Sequence, residues 1–141
     1  MRFMVIVKAT KESEAGEPPD EKLFTEWGKY NEELVKAGVL LAAEGLHPSS
    51  KGARVHFSGT RRTVIDGPFT EAKELVAGFS LIQVRSIEEA IEWVKRAPNC
   101  HKGDSEVEIR QVIEIEDFGP MVTPERLEAK RQLRARSEGK Q

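Results

Sequence analysis

The 141-residue chain predicts an α+β fold, in which two β-α-β units flank an inserted β-hairpin. Apolar residues recur at helical spacing in two stretches, residues 21–37 and 86–97, and short β-branched runs lie around them. The third observation is a break at Gly59 between two short strand-like segments, which is typical of a hairpin. The length suits one domain with some additional chain.

The first β-α-β unit begins at residue 2. Residues 2–9 are apolar at successive positions, which predicts a strand buried on both faces. Asp20 stands where a helix N-cap is expected, and Gly38 follows the last apolar residue of the helical pattern. We therefore expect a helix over 21–37, followed by a second apolar strand over 39–46.

The second unit follows the hairpin, which is expected over residues 53–66. Residues 74–84 predict another strand, and Ser86 with Glu89 forms a capping box that opens the second helix. Residues 105–117 alternate between apolar and charged side chains, which predicts a last strand less buried than the others. Thr123 and Pro124 are typical of the N-cap and first residue of a terminal helix.

This element order is the split βαβ, or ferredoxin-like, plan, a four-stranded sheet with both helices on one face. Three of the predicted strands carry apolar residues on both of their faces, so the second face needs a cover. The simplest cover is a second copy, which gives a homodimer and a dimeric α/β barrel. We expect this domain over 1–119 and a charged helix or tail over 120–141.

Charge argues against a nucleic-acid partner. The net charge is −2, and residues 121–141 hold six basic against three acidic side chains, about +3, with no aromatic residue for base stacking. Apolar runs of about five residues are too short to span a bilayer. The chain has one cysteine, Cys100, and no signal-peptide pattern, so we expect a cytoplasmic protein.

The chain lacks the motifs of several cofactor sites. Neither a G-x-x-x-x-G-K-[ST] nor a G-x-G-x-x-G pattern is present, so no phosphate cradle is expected. Cys100, His101 and Asp104 cluster in sequence, but they lack the spacing of zinc ligands. We therefore expect neither a metal nor a cofactor.

Three phrases along the chain share a pattern with a known family. They are VKAGVLLAAEGLHPSS at 35–50, VIDGPFTEAKELVAGF at 64–79 and SIEEAIEWVKRAPN at 86–99. In them the chain resembles the YCII-related family, and specifically its DGPF-domain branch, whose namesake tetrapeptide is Asp66–Phe69 here. The resemblance covers about residues 1–118 and implies a dimeric α/β barrel built from ferredoxin-like halves.

The resemblance also bears on activity. Shorter members of the family carry a histidine–aspartate pair that suggests an enzyme, and one relative is a dehydrochlorinase-type lyase. In this chain the corresponding positions hold Trp27 and Ala97, so catalysis would need other residues. DGPF members have also been associated with sigma factors of the extracytoplasmic-function type, which implies a regulatory alternative.

Asp66, Glu44 and His47 are the candidate catalytic residues. Asp66 precedes Gly67-Pro68, so its carboxylate either caps local backbone or stands at the mouth of a cleft as a base or anchor. Glu44 shares the predicted strand face of Leu40, where desolvation would raise its pKa. His47 would complete an acid–base set with Asp66 and Glu44, since histidine as a residue type exchanges a proton near neutrality.

The alternatives for these residues are structural. Glu44 would instead form an ion pair with Arg54 or Lys73, and His47 would only pack against the next residue of its loop. Four residues are candidates for binding a ligand: Trp27, Tyr30, Asn31 and Arg54. Trp27 would form the apolar wall of a pocket and Tyr30 would offer it a hydroxyl; alternatively, both are simply core residues. Asn31 falls on the buried face of the helix.

Two functions follow from the sequence. The first is binding of a small organic molecule between the sheet and the helix at 21–37, with cofactor-free proton transfer or elimination on a small organic acid or ring. The second is a non-catalytic regulatory or protein-interaction module, tied to sigma-factor-type transcription control, that uses its dimer and its basic terminal helix.

Overall fold

The computed structural model describes residues 1–139, apart from the side chain of Lys73. Its strands are β1 Arg2–Lys8, β2 Leu40–Gly45, β3 Ala53–Ser58, β4 Arg61–Asp66, β5 Val76–Gln83 and β6 Val107–Gln111. Its α-helices are α1 Lys11–Glu14, α2 Glu21–Lys36, α3 Ile87–Lys95 and α4 Pro124–Glu138. Helices and antiparallel strands together confirm the predicted α+β class.

Four strands form one sheet in the order β2-β5-β1-β6, and every neighbouring pair is antiparallel. In the register of the two central strands, Phe3 lies opposite Ile82 and Val5 opposite Ser80. Directly opposite residues of an antiparallel pair project to the same face. Phe3, Val5 and Ile82 therefore share a face, which we call the helix face.

The core lies on the helix face. Phe3, Ile82 and Leu34 of α2 are each 1% exposed and are the largest fully buried side chains. The other buried members of this cluster come from the same sheet face, α2 and α3: Val5, Tyr30, Val39, Val84 and Ala90. The second face of the sheet carries Met4, Ile6, Phe79 and Leu81, none of which is fully buried.

The predicted helix starts are confirmed by their caps. Asp20 Oδ1 accepts a hydrogen bond from the Leu23 amide at 2.7 Å at the start of α2. The Ser86 hydroxyl accepts one from the Glu89 amide at 3.2 Å at the start of α3. Each cap satisfies an amide that has no partner within its own helix.

The last strand is shorter than the alternation predicts. β6 ends at Gln111, which pairs with Phe3, and β1 has only Arg2 left beyond that point. A strand at a sheet edge cannot continue where its neighbour ends, because its backbone then has no partner. The chain instead enters a 3-10 segment, Ile115–Met121, and Ile113 is 64% exposed.

The predicted hairpin forms a separate two-stranded sheet of β3 and β4. Gly59 sits in its turn with φ of 56°, a left-handed conformation that glycine adopts without steric cost. Apolar side chains on both sides of the hairpin are exposed, by 47% to 68%: Val55, Phe57, Val64 and Ile65. The hairpin therefore presents one apolar face, formed by Val55, Phe57 and Val64, while Ile65 lies on the opposite face beside polar and basic residues.

Contacts divide the chain into two compact units, Met1–Gln111 and a second unit that begins at Val112. Within the second unit, α4 starts at the predicted Thr123 cap and has no buried residue. The Arg134 guanidinium lies 3.9 Å from the Glu114 carboxylate. Among residues 1–139, no helix combines the length and apolar content required to cross a bilayer.

Candidate functional site

A cleft of about 800 Å³ opens in the first unit between α2, the helix face of the sheet and the segment after α3. Residues of the sheet form its floor, among them Val5, Ala43 and Gly78. The segments that precede and contain α2 form one wall, and residues 94–107 contribute the other. All of the lining residues belong to the first compact unit.

α2 supplies an aromatic pair to this cleft. The rings of Trp27 and Tyr30 meet edge to face, with centroids 5.4 Å apart and an interplanar angle of 89°. The Tyr30 hydroxyl donates a hydrogen bond to the Trp93 carbonyl at 2.7 Å, which ties α2 to α3. Burial raises the pKa of Tyr30 to about 12, so the phenol keeps its proton at neutral pH.

The loop after α3 is held by its own polar contacts. The Asn99 side-chain oxygen accepts from the His101 amide at 3.1 Å and from the Ser105 hydroxyl at 2.6 Å. The imidazole of His101 lies 3.1 Å from the Lys8 carbonyl and 3.4 Å from the Thr10 hydroxyl. These contacts fix the loop against the end of β1.

This loop carries the single cysteine into the cleft wall. Burial raises the pKa of the Cys100 thiol to about 11, an effect that the Trp27 side chain and a backbone hydrogen bond oppose. Cys100 is therefore an uncharged thiol at neutral pH, and not an activated nucleophile.

The predicted binding residues of α2 lie together in the cleft. Trp27, Tyr30 and Asn31 all line it; Tyr30 is buried, and the other two are half-buried. The His47 ring is exposed and lies at the edge of the cleft, after the end of β2. Of the seven candidate residues from the sequence analysis, these four line the cleft, and a fifth, Glu44, borders it.

Glu44 borders the cleft, but its side chain projects the other way. A register shift between Leu40 and Ala42 interrupts the alternation of β2, so Leu40 pairs with Ile82 while Glu44 pairs with Phe79. Leu40 and Glu44 therefore do not share a face as expected; Glu44 is exposed on the second face. The Lys73 side chain, one expected partner, lies outside the described part of the structure.

Asp66 is the exposed last residue of β4, opposite Ala53, and is not among the described residues that line the cleft. The next residues pack against the loop before β3. The Gly67 amide donates to the Gly52 carbonyl at 3.0 Å, and the Phe69 amide donates to the Ser49 hydroxyl at 3.0 Å.

Ser49 connects this tetrapeptide to α1. Its hydroxyl donates to the Glu14 carboxylate, and its amide donates to the same carboxylate at 2.8 Å. A Cβ at Gly67 would lie 1.8 Å from the Ser49 carbonyl oxygen, so only glycine fits here. We call this arrangement of Glu14, Ser49, Gly67 and Phe69 the Ser49 clasp.

Arg54 packs on Phe69 of the clasp and is not among the described residues that line the cleft. Its guanidinium lies 3.8 Å from the centre of the Phe69 ring, a cation–π geometry. Arg54 and Phe69 also line a smaller hollow of about 440 Å³, together with Glu14 and His47. Asp66–Phe69 therefore closes the hairpin onto the body of the domain.

A comparison with family models shows to which protein family the chain belongs. The model of the YCII-related domain matches residues 1–116. The chain belongs to the YCII-related domain family. It is also 31% identical over 91 residues to an uncharacterised protein of Rhizobium meliloti (strain 1021), a match that covers 64% of this chain and 73% of that relative.

Trp27 and Ala97, the two positions that the sequence resemblance sets against the histidine–aspartate pair of shorter members, both line the cleft. They come from α2 and from the residue before Pro98, where the loop after α3 begins.

Cys100 and His101 are the lining residues that the sequence reasoning missed as parts of a pocket. The sequence suggested them only as metal ligands, a role their spacing argued against. One signal was available: they follow within four residues of Ala97, which the sequence resemblance sets against one member of the histidine–aspartate pair. The approach of Cys100 to Trp27, and of His101 to the end of β1, are tertiary contacts that no local pattern encodes.

Proposed function

We propose that this YCII-related protein binds a small organic molecule in the cleft between the sheet and α2. The volume of the cleft carries the proposal, because about 800 Å³ lies within the range of roughly 300–1,000 Å³ that is common for small-molecule sites. Its lining combines the aromatic pair of α2 and apolar residues of the sheet with polar and charged groups that could orient a ligand.

In the catalytic form of this proposal, a histidine exchanges protons with the ligand in the cleft. Tyr30 and Cys100 keep their protons at neutral pH, since burial raises the pKa of each, and neither serves as a base there. His47 lies at the edge of the cleft and belongs to the residue type that exchanges a proton near neutrality. Cofactor-free proton transfer through His47 is the catalytic form of the proposal.

The assembly that presents this cleft is a homodimer of ferredoxin-like domains, paired as an α/β barrel. The strand order β2-β5-β1-β6 with α2 and α3 on one face supports the domain plan. A lone two-stranded hairpin is marginally stable in water, so the exposed apolar residues of β3 and β4 favour a covering partner. A second copy of the chain supplies that cover.

A metabolite screen by thermal shift tests ligand binding. A ligand at about 100 times its Kd adds about 2.7 kcal/mol to the free energy of unfolding. Asn31→Trp fills the cleft from α2 and should abolish the shift. Glu32→Trp places the same ring on the neighbouring exposed position and should retain it. No ligand for the wild type, or equal shifts in both variants, would refute the cleft as the site.

A second candidate function is a regulatory interaction module of the kind associated with sigma factors. The observation that favours it is α4, which has no buried residue and belongs to a compact unit of its own. Removal of residues 121–141 should then abolish capture of a partner while the thermal unfolding of the first unit stays unchanged. Retained capture would exclude this helix as the binding element.

A further inference from the structure

The hollow of about 440 Å³ beside the Ser49 clasp is a cavity distinct from the cleft. Among the described residues, the two share only the segment 46–48. The apolar lining of the hollow includes Leu46 and Val76, which are 50% and 37% exposed. Its charged and titratable lining residues are Glu14, His47, Lys51 and Arg54.

The acid of this hollow is already occupied. Of the lining residues that the structure describes, only Glu14 carries a carboxylate. One of its oxygens accepts from the Ser49 hydroxyl, and the other accepts from the Ser49 amide. By contrast, no described carboxylate lies within 4.0 Å of the Lys51 ammonium or the Arg54 guanidinium. The charge left without a partner at the hollow is therefore positive, and it attracts anions.

The clasp holds the Arg54 guanidinium in position. This group lies 3.8 Å from the centre of the Phe69 ring, and the Phe69 amide is itself bonded to the Ser49 hydroxyl at 3.0 Å. No hydrogen bond within residues 1–139 uses the N–H groups of Arg54. Because the ring already restricts the arginine, less side-chain freedom is lost when an acceptor binds.

We propose that the hollow is a second ligand site, which takes an organic carboxylate with a short apolar body. The carboxylate accepts two parallel hydrogen bonds from Arg54, a pairing that the planar guanidinium fork favours, and the Lys51 ammonium adds a second positive charge. The apolar body covers the exposed surface of Leu46 and Val76. A volume of about 440 Å³ is within the range of roughly 300–1,000 Å³ that is common for small-molecule sites.

Nuclear magnetic resonance of the ¹⁵N-labelled full chain provides the test, with benzoate and benzamide as probes of the same shape and different charge. Benzoate should shift the Arg54 Nε–H signal and the amides of Gly52 and Phe69, which line the hollow. The amides of Gly45 and Gly78 line the cleft instead and should move less. Benzamide should bind at least about tenfold more weakly, since it cannot form a charge-assisted pair.

Substitution of the arginine should weaken benzoate. Arg54→Gln should do so by about tenfold or more, and Arg54→Lys should restore only part of the loss, because it returns the charge without the planar fork. Arg62→Gln is the matched control: Arg62 is also exposed and lies 4.5 Å from the centre of the Phe57 ring, but it does not line the hollow. If Arg54→Gln does not fold, Lys51→Gln should still weaken benzoate several-fold.

Three outcomes would overturn the inference. The first is a benzoate response confined to Gly45 and Gly78, which would place the ligand in the cleft and leave the proposed function standing. The second is equal binding of benzamide, or equal loss in the Arg54 and Arg62 variants. The third is binding of inorganic phosphate as tight as that of benzoate, which would show that the apolar body contributes nothing. Silence of the Gly52 and Phe69 amides at tens of millimolar benzoate would equally exclude the site.

Discussion

Burial sets the protonation of the two weak acids in the cleft, Tyr30 and Cys100. For both, desolvation is the largest cause of a raised pKa, and neighbouring groups only modify it. For Tyr30 these are Arg96, which lowers the pKa, and Glu33, which raises it. Because both groups keep their protons at neutral pH, neither acts there as a nucleophile or a base.

The Cys100 thiol makes the free energy of unfolding depend on pH in the alkaline range. The thiol titrates at about 11 in the folded protein against an ordinary value of 9.0. The unfolded chain therefore loses this proton first, and the free energy of unfolding falls as pH rises from about 9 to about 11. Cys100→Ser should remove that part of the fall.

Denaturant unfolding of the wild type and Cys100→Ser at pH 8, 9, 10 and 11 measures the effect. Tyr30 titrates in an overlapping range, so only the difference between the two proteins is diagnostic. Parallel pH dependences would show that the thiol is not buried as the structure places it.

Some positions of single side chains could be predicted from the sequence, and others could not. Trp27, Tyr30 and Asn31 were predictable together because helical spacing fixes one face of α2. The direction of Glu44 was not predictable, because a register shift after Leu40 changes which face it occupies. The interaction of Trp27 with Cys100 depends on a distant loop, which no local pattern specifies.

At the scale of elements, the Ser49 clasp explains the motif Asp66–Phe69. Three segments meet there: the exit of β4, the turn before β3 and the helix α1. The clasp is a structural closure, since its hydrogen bonds join backbone and side chains of the domain itself.

Gly67→Ala should destabilise the protein by about 1–3 kcal/mol or more, because its Cβ would overlap the Ser49 carbonyl. Gly28→Ala is the matched control. Gly28 lies on an exposed face of α2 with nothing within 4 Å of an added Cβ, and alanine there should stabilise by up to about 1 kcal/mol. Denaturant unfolding of both variants makes the comparison, and equal effects would disprove the clasp.

The elements themselves followed from local signals, except for the short helix α1, which the sequence analysis does not predict, and for the end of β6. Caps at Asp20, Ser86 and Thr123 located three helix starts because capping is chemistry between near neighbours. The end of β6 at Gln111 was not predictable, since the alternation continues to residue 116 while the neighbouring strand does not. Strand length depends on the partner, and periodicity describes only the strand itself.

At the scale of the whole molecule, two apolar surfaces suggest association: the hairpin of β3 and β4, and the second face of the sheet. Val64 is 66% exposed and Phe57 is 68% exposed. An exposed apolar face on a two-stranded hairpin is costly in water unless a partner covers it.

Val64→Lys should therefore convert a dimer into a monomer. Light scattering at micromolar concentration should give about twice the chain mass for the wild type and the single mass for the variant. Ile113→Lys is the control, because Ile113 is exposed to a similar degree, 64%, but lies outside the hairpin. A monomeric wild type would contradict the barrel.

The measurement that tests the central claim most directly is a crystal structure of the protein with the strongest ligand from the metabolite screen. The account predicts that the ligand lies between α2 and the helix face of the sheet, in contact with Trp27 and Gly78. A ligand bound beside Asp66, on the hairpin or along α4, with the cleft left unfilled, would contradict it.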